Sequence, residues 1–187
     1  VQNVYGHLVT WIILMNSLNK IDWAELIASL DTGVDITPDL SKWNLDTPGY
    51  MDIYKMWQDA NFNPASIKWT NYYPEKNYPQ ELVDKIAAAL DLDGIHRSWI
   101  SRVDPGYFAP WHWDVDDNEQ DYLLYGKIRR YSIMLSGPVL GHIFILGDKY
   151  YYNSPEGLVV EWNDYKEWHS GINAGMKPKY MLHLIGY

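Results

Sequence analysis

The chain has 187 residues, of which 47% are hydrophobic; that suffices for one core of ordinary size and is too little for two. Fifteen Lys and Arg stand against 24 Asp and Glu, a net charge of −9, with no basic cluster larger than Arg129-Arg130, which argues against a nucleic-acid partner. The absence of cysteine excludes disulfides and thiolate metal sites, so any metal must be held by nitrogen and oxygen.

In chain order, the first feature is the apolar run from Leu8 to Met15. It is too short to span a bilayer, has no basic flank before it and lacks a small-residue cleavage site. The expectation is a soluble, cytoplasmic protein without a membrane partner, although composition itself leaves the compartment undetermined. Because Met15 is followed by Asn-Ser-Leu-Asn-Lys, residues 1–14 are expected to be upstream or added sequence.

From Asp22 a capping aspartate precedes Trp23, Leu26, Ile27 and Leu30 on one helical face, and Gly33 closes the element. Thr47-Pro48 supplies a cap and a first-turn proline for a second helix that runs through Ile53, Tyr54 and Trp57 to about Asn61. A third helix begins at Pro79 and passes Leu82, Ile86 and Leu90, with Gly94 beyond its end. Between the second and third, Ile67 to Tyr73 is strand-like.

After Gly94 the pattern changes to short runs rich in β-branched and aromatic residues: 95–103, 129–136, 142–146, 158–162 and 179–187. Turn residues separate them at Asp104-Pro105-Gly106, Ser136-Gly137-Pro138, Leu146-Gly147-Asp148, Asn153 to Gly157 and Asn163-Asp164. Many short strands so spaced predict a sandwich or barrel, with the helices of the first half packed outside it. One domain over 1–187 is expected, with 1–94 as helix-rich support and 95–187 as the β core.

Chemistry concentrates in Pro105 to Asp114, which ends Trp111-His112-Trp113-Asp114. In an extended segment His112 and Asp114 leave the same face. His169 follows Asp114 by 55 positions, within Glu167-Trp168-His169-Ser170-Gly171, another extended-looking stretch. Two imidazoles and a carboxylate can occupy one face of an octahedral iron and leave three positions open. The His-x-Asp tripeptide is weak evidence by itself, since this composition gives about 0.5 chance occurrences. A salt-linked surface pair and a strand-edge histidine are the plain alternatives. His7 and His96 have no recognisable partner spacing, and His142 follows a glycine at a strand start; a structural or exposed role is the simpler reading of each. His183 shares strand parity with Lys179 and Met181, and a structural role is the simpler reading of it. Trp111 and Trp113 flank His112 with opposite parity, as packing residues that fix the ligand strand would.

The surroundings add a resemblance. Ser101 to His112, Arg130-Tyr131-Ser132-Ile133-Met134-Leu135, His169 and Lys179 together resemble the iron(II)- and 2-oxoglutarate-dependent oxygenases, closest to the aspartyl/asparaginyl β-hydroxylase type. In that family a Pro-Gly turn precedes the first metal histidine, an Arg-bearing strand follows, and a basic residue stands ten positions after the distal histidine, as Lys179 does here. The likeness covers about half the chain, from residue 95 onward, and extends to Trp69. It implies a mostly β fold with flanking helices: a double-stranded β-helix, the cupin-like jelly-roll barrel, behind a helical N-terminal part. It implies iron(II) on His112, Asp114 and His169, and 2-oxoglutarate at Lys179 with Arg130, Ser101, Ser132 and Trp69 as further contacts. Hydroxylation of an unactivated C–H bond in a peptide side chain or small molecule, consuming dioxygen, would follow, with no catalytic side chain beyond the ligands. Arg130 and Ser132 share a strand face, so Arg129 points away.

Three features depart from the family pattern. Lys179 stands where arginine is frequent, and a lysine lacks the bidentate fork. Val115 to Lys127 reads as an insertion, a lid or substrate-reading loop. Asp114 is present where some β-hydroxylases lack a carboxylate ligand. Within the insertion, the acidic run from Asp114 to Asp121 fails as an EF-hand, with Glu119 where glycine is needed and Tyr125 where a glutamate belongs. It reads as a solvated acidic loop which, if it faces the cleft, favours a cationic substrate. Two rivals remain open: a cupin-like metal-binding or ligand-binding jelly roll that is not an oxygenase, and a structural sandwich whose aromatics contact protein or carbohydrate.

Overall fold

Among the described residues, ten strands form two antiparallel sheets, one of six and one of four strands. The computed structural model describes residue 18 and residues 21–30, 32–36, 48–114, 128–164 and 166–187, with the backbone alone at 48–51. The strands are β1 (Val34–Ile36), β2 (Trp69–Tyr72), β3 (Ile95–Val103), β4 (Phe108–His112), β5 (Arg129–Met134), β6 (His142–Leu146), β7 (Lys149–Tyr152), β8 (Val159–Trp162), β9 (His169–Asn173) and β10 (Lys179–Gly186). The large sheet has the order β1-β2-β3-β10-β5-β8 and the small one β4-β9-β6-β7.

From β3 onward, the chain crosses between the sheets at every step but the β6–β7 hairpin, so that β3, β5, β8 and β10 face β4, β6, β7 and β9. This is the double-stranded β-helix, a jelly roll, and the mostly β architecture expected. The strands at 95–103 and 142–146 have the expected bounds, while those at 129–136, 158–162 and 179–187 are shorter by one or two residues. Two strands add to the expected set. β1 extends the large sheet through pairing with β2, and β7 closes a two-residue hairpin at Gly147-Asp148 on the edge of the small one.

Among the described residues, three α-helices of known bounds accompany the barrel: α1 (Trp23–Ser29), α2 (Pro48–Asp59) and α3 (Gln80–Ala89). The α1 cap is as read from sequence, with Asp22 Oδ1 accepting from Glu25 N–H at 2.9 Å. The helix ends at Ser29, earlier than Gly33. Trp23 and Leu26 of α1 and Val83 and Ile86 of α3 bury themselves against Ile100, Tyr131, Ile133, Leu182 and Leu184 on the outer face of the large sheet. Burying each such side chain contributes about 1.5–3 kcal/mol, so these helices hold that sheet from outside. The α2 helix does something different. Its Ile53, Tyr54 and Trp57 pack with Ile67, Phe108 and Trp113 at the barrel mouth. Trp57 Nε1–H also donates to Trp111 O at 2.6 Å, which ties the helix to β4.

Residues 1–14, the Thr47 cap and the segment 115–127 lie outside the described residues. Among the described residues, no helix is long and apolar enough to cross a membrane.

Candidate metal centre

His112 and His169 lie directly opposite each other in the β4–β9 ladder. That pairing needs an irregularity. Ala109 faces Gly171, and a regular ladder would then place Trp111 opposite His169; a bulge between Ala109 and His112 inserts one residue and brings His112 there instead. Proline cannot donate to a ladder, so Pro110 sits where a bulge costs least. The bulge also reverses parity, and Ala109 and His112 consequently line the same cavity. At the turn before β4, Gly106 has φ +83°, a value glycine adopts readily. Its N–H donates to Asn173 O at 2.9 Å, and Asn173 N–H donates to Tyr107 O at 3.1 Å, so the beginning of β4 is pinned to the end of β9.

Ligand atoms of His112, Asp114 and His169 all lie within 4.8 Å of one another. The two rings are 4.3 Å apart between centroids, and His169 Nε2 is 3.5 Å from Asp114 Oδ1. The Nδ1 atoms are engaged elsewhere, that of His112 with Pro110 O at 2.6 Å and that of His169 with Glu167 O at 3.0 Å. Each carbonyl can only accept, so Nδ1 carries the proton and Nε2 keeps its lone pair for a metal. The donor set therefore fits a divalent first-row ion, and the two-histidine, one-carboxylate combination is the one that suits non-haem iron(II).

Burial pushes the His112 imidazole down to about 4, and the neighbouring His169 charge adds to the effect against the pull of Asp114. For His169 burial also works downward, but the charge of Asp114 and a hydrogen bond to it outweigh that and raise the value. Burial would raise the Asp114 carboxyl, yet His169, His112 and Arg130 together hold it well below the usual carboxylate range. The carboxylate is thus ionised, as a ligand must be.

The three groups line a cavity of about 590 Å³ between the sheets. Arg130 and Lys179 line it too, with 1% and 3% exposure. Arg130 Nε is 3.7 Å from Asp114 Oδ2, while Arg129 points away and pairs with Glu161 at 3.0 Å. Lys179 Nζ donates to Ile143 O at 2.6 Å, and burial pulls its ammonium down to about 7. Trp69 lines the cavity from β2, where it faces Ile36.

The two serines expected beside the cosubstrate are held by a histidine. Ser101 Oγ is 2.8 Å from His183 Nε2, and Ser132 Oγ is 2.9 Å from His183 Nδ1. Ser101 lines the cavity, whereas Ser132 is fully buried behind it and is not among the lining residues. His183 stacks on Trp99 at 4.9 Å and 20°. His142, by contrast, is a structural histidine whose Nε2 meets Lys177 O at 2.8 Å. The sequence reading missed the cavity roles of Trp57, Asn71, Arg97, Trp99 and Trp113. Strand parity was the available signal for two of these, since Arg97, Trp99 and Ser101 alternate along β3.

No family model matches the chain, and no curated protein matches it either. Among solved structures it is similar to a viral collagen prolyl hydroxylase from Paramecium Bursaria Chlorella virus-1 in its 2OG complex, at 15% identity and TM-score 0.45 over 63% of this chain and 77% of that one. It is similar to a predicted oxalate decarboxylase from Thermotoga maritima at 15% identity and TM-score 0.38, over 64% of this chain and 80% of that one. A third is a cupin domain from Bordetella pertussis, at 10% identity and TM-score 0.33, over 47% and 77% of the two chains.

Proposed function

We propose that this protein is an iron(II)- and 2-oxoglutarate-dependent dioxygenase that hydroxylates an unactivated C–H bond of a peptide side chain or amino acid, with the aspartyl/asparaginyl β-hydroxylase type as its nearest model. The observation that carries the reading is the meeting of His112, Asp114 and His169, drawn from two distant stretches, in a cavity that also holds two buried cations. Arg130 faces the carboxylate of Asp114, so it is Lys179, buried in the same wall with no carboxylate of the described residues paired to it, for which a metal-binding jelly roll without a dicarboxylate cosubstrate has no evident use.

Bound iron with 2-oxoglutarate and dioxygen supplies the oxidising power: one oxygen atom enters the C–H bond and the other enters succinate as CO2 is released. The chain's own part is binding, orientation and exclusion of water. His112 and His169 present Nε2 because backbone carbonyls hold their Nδ1–H groups. Lys179, once protonated, is the point charge for the distal carboxylate of 2-oxoglutarate, a charge-assisted contact inside a semi-enclosed wall. Arg130 balances the ligand Asp114 and leaves the cavity less negative. Trp57, Trp69, Trp99 and Trp113 supply an aromatic part of the lining, beside the polar Asn71 and Arg97.

The test is succinate release from 2-oxoglutarate, screened against a panel of peptides and amino acids, beside the weak visible charge-transfer band of the anaerobic iron(II) complex. An oxygenase shows both and loses the band in His112→Ala. Metal binding with no 2-oxoglutarate binding would make the protein a cupin-like module of another kind.

A further inference from the structure

His183 is a half-buried imidazole between two hydroxyls in the wall of the cavity, and the mechanism above leaves it idle. Burial pushes its pKa down to about 3, consistent with a neutral ring, which has one N–H donor and one acceptor nitrogen. Two directions of hydrogen bonding are then possible. If Nδ1 carried the proton, His183 would donate to Ser132 and Ser101 would donate to Nε2. The Ser132 hydroxyl proton would be left in a site with 0% exposure, where among the described residues Ser132 Oγ has no partner but His183. The reverse direction strands nothing: Ser132 O–H donates to Nδ1, Nε2–H donates to Ser101 Oγ, and the one proton still unplaced is that of Ser101, which borders the open cavity. A buried unpaired donor is costly, whereas one facing a ligand site is not.

We propose that His183 is a positioning residue, fixing the chain Ser132 to His183 to Ser101 in one direction so that the Ser101 hydroxyl is presented as a donor to a carboxylate oxygen of the ligand in the cavity. The cross-strand register sets the chain, because His183 faces Ser132 on one side and Trp99 on the other, with Ser101 diagonal to it across from Met181. The stacked Trp99 ring holds the imidazole plane. With Lys179 and Arg130 on the same wall, the complementary ligand group is an anion. The identification of that anion as 2-oxoglutarate rests on the function proposed above; the direction of the chain does not.

Long-range proton–nitrogen correlation on the histidine-labelled 187-residue chain reads the tautomer, with the His183 signals assigned by their loss in His183→Gln. The expected result is a protonated Nε2 and an unprotonated Nδ1 near neutral pH. The opposite tautomer, or a doubly protonated ring, overturns the proposal whatever the protein binds. With anaerobic iron(II) protein, Ser101→Ala and Ser132→Ala are each expected to weaken 2-oxoglutarate binding about 10-fold and to leave iron affinity unchanged, and Ser132→Thr is expected to restore it. Unchanged 2-oxoglutarate affinity in Ser132→Ala would show that the buried serine transmits nothing and would equally overturn the proposal. If the wild type binds no 2-oxoglutarate, the proposed function fails and the tautomer alone decides the chain's direction.

Discussion

A β-carbon placed on Gly171 would lie 3.5 Å from Lys179 Nζ. Gly171 stands two residues after His169 on β9, and Lys179 begins β10 in the opposite sheet, so this glycine sets the headroom above the buried ammonium. Gly171→Ala does not collide with backbone, and its fold should persist. It should nevertheless narrow the approach of a carboxylate to Lys179. The expected outcome is a several-fold weaker 2-oxoglutarate affinity with iron affinity unchanged, both read by anaerobic titration. Equal affinity for 2-oxoglutarate in the variant would move the carboxylate site away from Lys179.

Lys179 also predicts a pH dependence. Burial lowers its pKa from the ordinary lysine value to about 7, so between pH 7 and the unfolded value the unfolded chain binds more protons than the folded one. Unfolding free energy contributed by this group therefore rises with pH through that window, and the cost of burying the ammonium is greatest below pH 7. Ligand binding has the opposite sense. A dicarboxylate needs the charged amine, so above pH 7 its binding takes up a proton and its affinity should fall by up to about tenfold per pH unit. Titrations in buffers of different ionisation enthalpy measure that uptake, and Lys179→Met should abolish it.

Much of this arrangement was legible in the sequence, for physical reasons. The strands at 95–103 and 142–146 are β-branched and aromatic runs bounded by turn residues, and local pattern is enough for such segments. The strand β1 is three residues long, too short to display a period, and in β7 only Tyr151 is half-buried. Neither has an inner face that composition could reveal. The three candidate ligands were readable as residue types at a spacing, but the register that brings them together was not. Regular parity would place His112 and Asp114 on one strand face, whereas β4 ends at His112 and a bulge around Pro110 and Trp111 sets the register. The tie between His183 and its two serines depends on registers among three strands far apart in sequence, which no local pattern encodes.

The ligand cluster predicts metal-dependent stability. An ion that binds the folded chain alone adds about 2.7 kcal/mol at a hundredfold excess over its dissociation constant. Iron(II), or zinc as an air-stable substitute, should therefore raise the Tm of the wild type and leave that of His112→Ala and His169→Ala unmoved. Asp114→Asn removes both a charged ligand and the carboxylate beside the buried Arg130. It should lower the metal-free Tm as well as the metal-dependent increment. A shift of equal size in all four proteins would mean that the ion binds elsewhere.

The contact from Trp57 to the Trp111 carbonyl ties the candidate metal centre to a helix that contributes none of its three groups. Trp57 is 3% exposed, and its Nε1–H reaches the backbone one residue before His112. Trp57→Phe keeps an apolar ring there but removes the donor and leaves that carbonyl without it. Lost packing and the lost hydrogen bond together should destabilise the fold by about 2 kcal/mol. If α2 steadies the bulged strand, metal affinity should fall in parallel. Ile53→Val is the matching control. Ile53 belongs to the same cluster, and its truncation should cost about 1 kcal/mol without loosening β4. Chemical denaturation gives the stabilities and competitive titration with a chromophoric chelator gives the affinities. Weakened metal binding in Trp57→Phe with none in Ile53→Val would assign the effect to the tether; a parallel loss in both would assign it to general loosening of the barrel mouth.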